Sequence, residues 1–138
     1  MSKYQPVFDL IKEIDQFLKD QPIAEDLDAC DQFLRQLHAL YGTVNTYAAR
    51  MEIRFYEGFK EVINNPKLID NWKMVKNSST LSIAFVAGHY PEEYELWQKL
   101  KGYLGALRIT SDNYRTLLSS FKEEKLLALR QQNQAKPK

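Results

Sequence analysis

Six basic residues recur through the middle of the chain: Arg50, Arg54, Lys60, Lys67, Lys73 and Lys76. Phe55, Tyr56, Phe59 and Trp72 lie among them. Cations neutralise phosphates and aromatic rings stack on unpaired bases, so this mixture has the chemistry of a single-strand binder. Arg50 and Arg54 are four apart and share one face if the segment is helical. The candidate contacts are Arg50, Arg54, Tyr56, Lys60, Lys73 and Lys76. The same residues also read as ordinary helix surface, with Phe55 turned to a core.

Other chemistries find few residues. His38 and His89 stand in different segments, outside any HxxxH or HExxH spacing, and with Cys30 they are the only three His or Cys residues. A zinc site needs several such ligands, so no metal is expected. Gly42, Gly58, Gly88, Gly102 and Gly105 are scattered and form no phosphate-binding loop. Gly102 and Gly105 read as small residues that permit close helix approach. Glu92-Glu93 belongs to the opening turn of a helix, where negative charge suits the dipole. No carboxylate pair is marked for acid–base work. The expectation is a non-enzyme without cofactor or small-molecule substrate.

The elements that would position these residues are helices. Five glycines and five prolines in 138 residues are few for an all-β chain. A first helix is expected from Pro6 to Lys19, with Val7, Leu10, Ile11, Ile14, Phe17 and Leu18 on one face. Leu27, Cys30, Leu34, Leu37, Tyr41, Val44, Ala48, Met51 and Phe55 then follow in alternating steps of three and four. That heptad spacing keeps one seam against a partner helix and predicts a helix over 25–63. Gly42 lies off the seam and reads as a point of bend or break. Asn64-Asn65-Pro66 ends it. A short helix follows, with Pro66 in its first turn and Leu68, Ile69, Trp72 and Val75 inward. Another spans Leu81 to Gly88.

The last helix is expected over 92–131. Its seam is Trp97, Leu100, Leu104, Leu107, Ser111, Tyr114, Leu118 and Phe121. Ser111 is its one polar member, of the kind that fixes register. Residues 132–138 read as a disordered tail. The fold class is all-α: one domain over 1–131, with long heptad-patterned helices in a hairpin and smaller helices beside it. The apolar stripes exceed what one hairpin buries. Trp97, Leu100, Leu104, Leu107, Tyr114, Leu118 and Phe121 are therefore expected to drive homo-oligomerisation. The alternative is a monomer whose short helices cover the remaining stripe.

Charge is uneven along the chain. Residues 1–46 hold four Lys/Arg and eight Asp/Glu, residues 47–96 six and seven, and residues 97–138 nine and three. A basic C-terminal third suits a polyanion. One cysteine, no membrane-length apolar run and no signal-peptide core point to the cytoplasm.

From Arg50 to Gly58 (Arg-Met-Glu-Ile-Arg-Phe-Tyr-Glu-Gly) the sequence resembles the UvsY-type recombination mediators of bacteriophages. Those small helical proteins run a basic segment into paired aromatics and a glycine. Where the family places two basic residues two apart, this chain has Arg50 and Glu52, with Arg54 one turn later. A second likeness runs from Trp97 through Gly105-Ala106-Leu107 to Arg108 and Arg115. The resemblance as a whole, in motifs, length and layout, extends over roughly residues 27–130. The resemblance implies a ring-forming mediator in the bacterial host cytoplasm. It would bind single-stranded DNA, contact the single-strand-binding protein and the phage recombinase, and help load that recombinase. Without the resemblance, the competing expectation is a structural or adaptor protein that binds partner helices through its seams and never touches nucleic acid.

Overall fold

The computed structural model describes residues 3–135. It is all-helical: α1 spans Gln5–Lys19, α2 Leu27–Ile63, α3 Ile69–Val75, α4 Ser79–His89 and α5 Pro91–Ala135. Local chemistry sets the boundaries. Pro6 opens α1, where its missing N–H costs nothing. Asp26 caps α2 by accepting from the Ala29 amide at 3.0 Å. Ser78 caps α4 by accepting from the Leu81 amide at 3.2 Å. Pro91 starts α5, with Glu92 and Glu93 in its first turn. Pro66 lies in the turn before α3 and not in the helix itself.

α2 and α5 pack antiparallel. Phe55 meets Trp97 near one end, and Phe33 meets Tyr114 near the other, with ring centroids 5.5 and 4.8 Å apart. α1 lies against both. Its Phe17 stacks on Phe33 at 4.4 Å, and its Asp15 accepts from the Tyr103 hydroxyl at 2.7 Å. The result is a three-helix bundle with α3 and α4 packed at the α2 C-terminal end. Leu68, Ile69, Trp72 and Val75 of the α3 region are half-buried, and none is fully enclosed.

Burial follows the α2 seam through Cys30, Leu37, Val44, Ala48, Met51, Phe55 and Val62. It departs from it at five places: Leu34 and Tyr41, both on the seam, are only half-buried. Leu27 is exposed, while Phe33 and Leu40, both off the seam, are buried. The reason is α1: a helix with two neighbours buries a stripe wider than a two-helix seam.

The α5 seam needs a correction. Trp97, Leu100, Leu107 and Tyr114 are buried inside this chain's own bundle, and Leu104 and Leu118 are half-buried against the same core. Phe121 is half-buried. All of the side chains expected to join subunits except Phe121 therefore belong to the interior that α1, α2 and α5 share. α1 covers what the hairpin leaves open, a part the short helices were expected to play. The tail expectation also changes. Residues 132–135 continue α5, and 136–138 lie outside the described residues. The helix continues through Gln132, Asn133, Gln134 and Ala135.

α2 runs through Gly42 without a break. A Cβ at Gly42, Gly102 or Gly105 would meet nothing within 4 Å, so none of them serves a close helix approach. At Gly58 the same atom would lie 2.7 Å from Tyr90 Cδ2 and 3.1 Å from Cγ. Gly42→Ala should raise stability by about 0.5–1 kcal/mol, because Ala has the better helix propensity. Gly58→Ala gains the same propensity but displaces a ring at its base, which costs about 1–3 kcal/mol. Urea melts should move in opposite directions for the two variants.

Tyrosine hydroxyls tie the helices at the bundle rim. Tyr4 donates to Glu93 at 2.9 Å, Tyr103 to Asp15, and Tyr90 to Glu61. Tyr114 reaches the Pro22 carbonyl at 3.2 Å. The carboxylate acceptors hold Tyr90 and Tyr103 in the protonated form and push each pKa up to about 12. A folded-state pKa above the unfolded value of about 10 gives stability that is full below pH 10. That stability is lost as pH rises toward 12. Tyr90→Phe with Tyr103→Phe should flatten the loss between pH 10 and 12 in thermal melts, relative to wild type.

Candidate nucleic-acid interface

The six expected contact residues divide into separate groups. On an α-helix, residues two apart point about 200° from each other. Arg54 and Tyr56 therefore face opposite flanks of α2.

Arg50 and Arg54 share the flank toward α1, as their spacing requires. Arg50 lies 5.3 Å over the Tyr47 ring and Arg54 5.6 Å over the Tyr4 ring. Lys3 sits 5.3 Å from the same Tyr4 ring. These residues line a groove of about 200 Å³ between α1 and α2. Cation–π contacts hold the two guanidinium groups at the surface without neutralising them. Among the described residues the one ion pair is Arg35 with Asp31, at 3.3 Å.

Tyr56 stands on the other flank, 45% exposed. Its ring leans on Phe59 at 5.5 Å and Trp97 at 5.8 Å. Trp72 of α3 closes on Phe59 at 5.7 Å. This aromatic cluster fixes Tyr56 with one side in solvent, the arrangement that lets a ring stack on a base. Lys60 is exposed on α2, Lys73 on α3, and Lys76 just past the α3 C-terminus.

The same flank carries a row of cations, of which the resemblance includes only Arg108 and Arg115. Lys101, Arg108, Arg115 and Lys122 recur every seven residues along α5, and all four are exposed. Lys101 lies 5.1 Å over Trp97, beside Tyr56. Arg115 donates to His38 Nε2 at 3.1 Å. These two contacts place the row along the α2–α5 junction, on the side away from α1. Fourteen residues separate its two anchored members, about 21 Å of helix. The signal was present in the sequence: each cation follows a seam residue, Leu100, Leu107, Tyr114 or Phe121. Glu52, one turn from Tyr56, and Asp112, one turn from Arg108 and Arg115, add negative charge to this side.

No family model, curated protein or solved structure matches this chain.

The remaining chemistry-bearing residues are structurally placed. Cys30 is buried and donates its thiol to the Ile23 carbonyl at 3.5 Å. Burial pushes its pKa up, away from the reactive thiolate. Ser111 lies 3.1 Å from His38 Nε2. Among the described residues no carboxylate orients His38 from its other nitrogen, as an activated nucleophile would need. No group of three or more His, Cys, Asp or Glu converges among the described residues. No helix there is long and apolar enough to cross a membrane.

Proposed function

We propose that this chain is a single-stranded DNA-binding recombination mediator that assembles as an oligomer and helps load a strand-exchange recombinase. The observation that carries the binding half is the α5 row of Lys101, Arg108, Arg115 and Lys122 beside the exposed Tyr56 ring. Phosphates would follow the cations, and a base would stack at the aromatic end. The loading half rests on the resemblance to the UvsY-type mediators at Arg50–Gly58 and Trp97–Arg115. Assembly through the buried α5 seam would require the bundle to open. The surface that supports assembly without opening is the end of α5. From residue 122 onward it lies past the start of α2, and Leu126, Leu127 and Leu129 are 56, 56 and 48% exposed. Multivalent contacts around an oligomer strengthen weak strand binding through effective concentration.

Those three leucines equally favour a second reading, an adaptor that binds partner helices and no nucleic acid. A fluorescence-anisotropy titration with a labelled oligonucleotide, run with light scattering, separates the two. The mediator reading expects binding that weakens steeply with salt and a mass above one chain. A folded, assembled protein that leaves the oligonucleotide free at low salt overturns it and leaves the adaptor.

A further inference from the structure

We infer that His38, Ser111 and Arg115 form a binding subsite for a phosphate oxyanion, filled with uptake of one proton by His38. The subsite deepens the proposed function, since that reading supplies the phosphate from the strand.

The argument begins with donors and acceptors. His38 Nε2 lies 3.1 Å from both Arg115 Nη2 and Ser111 Oγ. A guanidinium can only donate. Toward Arg115, Nε2 must therefore offer its lone pair, which puts the ring proton on Nδ1. Ser111 is only 7% exposed, and its hydroxyl shares that same acceptor. One lone pair thus faces two donors, and among the described residues no anionic acceptor is paired with Arg115.

A phosphate oxygen supplies what is missing. It can accept from Arg115 and from Ser111, and from Nε2 once that nitrogen carries a proton. Charge-assisted bonds of this kind are about twice as strong as neutral ones. A protonated ring and the Arg115 guanidinium repel each other unless an anion lies between them, so proton and phosphate arrive together. The charged groups around the ring come from two helices. On α2, Arg35 is one turn away and is tied to Asp31. On α5, Arg108 and Asp112 flank Ser111 and Arg115. α1 packs on the opposite flank. Cations exceed free acids here, which suits an anion.

His38 and His89 are the two histidines of the chain, so their imidazole signals can be followed separately by NMR. Inorganic phosphate and a single-stranded oligonucleotide, added separately, should each raise the His38 titration midpoint while His89 stays in place. Oligonucleotide affinity should tighten by up to about tenfold per pH unit on acidification through the imidazole range. His38→Gln keeps an acceptor for Arg115 but cannot titrate. It should flatten that dependence, circular dichroism confirming the fold. Strand binding that is independent of pH, or a slope unchanged in His38→Gln, overturns the subsite while strand binding itself stands. A shift with inorganic phosphate but no oligonucleotide binding keeps the subsite and removes the strand. If neither ligand moves His38 beyond His89, the subsite is wrong.

Discussion

Replacing Lys101, Arg108 and Lys122 together with Gln should weaken single-stranded DNA binding about a hundredfold at 0.1 M salt. Each phosphate contact on a single strand contributes about 0.7 to the slope of log affinity against log salt. Losing three lowers the slope by about 2, which at 0.1 M is about two decades of affinity. All three side chains are exposed and make no ion pair among the described residues. Their removal therefore leaves no buried charge behind, and the fold should stay intact. Arg115 is left unchanged, because altering it also strips His38 of its partner. Lys12 and Lys19, exposed on α1, provide the control: their replacement by Gln should cost less than threefold by the same rule, being off the path. If the α5 triple variant matches the control in both affinity and slope, the strand does not follow α5.

The second large effect is on stability. Phe55 is 0% exposed, and its ring meets Phe59, Tyr94 and Trp97 at 5.6, 5.2 and 5.5 Å. It is where α2, α5 and the α3–α4 end converge. Phe→Ala in such a core costs about 3–5 kcal/mol, from lost transfer energy and the cavity left behind. Typical domains have about 5–15 kcal/mol in total. Phe55→Ala should therefore lose most of its urea midpoint or fail to fold. Tyr56→Ala, one residue on, removes a ring already 45% in water and should cost about 1 kcal/mol from its aromatic pairs. Near-equal midpoints for the two variants would mean that Phe55 is not the keystone of this packing.

The comparison of Phe55 with Tyr56 shows how far the sequence could be read. The spacing of apolar residues located α1 and α2 to within two residues at each end, because period is a local property of the chain. It put Phe55 inside for the same reason. It left open which helix the α5 stripe would meet. A heptad pattern states that a neighbour exists and is silent on whether that neighbour belongs to the same chain. α1 decided the matter by covering Phe33 and Leu40 on one side and Tyr103 on the other. For the binding surface, counting charges found the basic C-terminal third, but stepping them by seven was needed to find the row. Arg54 and Tyr56 looked adjacent in sequence and are separated by the body of the helix. The meeting of His38 with Ser111 joins residues 73 apart in the chain. Only the antiparallel register of α2 against α5 brings them together.

That register also determines how the far end of α5 behaves. Phe33 of α2 meets Tyr114 and α2 begins six residues earlier, at Leu27, so the turns carrying Leu126, Leu127 and Leu129 project about 20 Å past it with no other described helix alongside. A stretch of about 14 residues is marginal as a free-standing helix in water. Its order therefore comes from being an extension of a braced helix, with the cost of nucleation already met inside the bundle. Such a projection frays from its tip inward and tightens when something rests on its leucines. Among the described residues, the helicity of this end of α5 is therefore expected to respond to whatever rests on its exposed leucines.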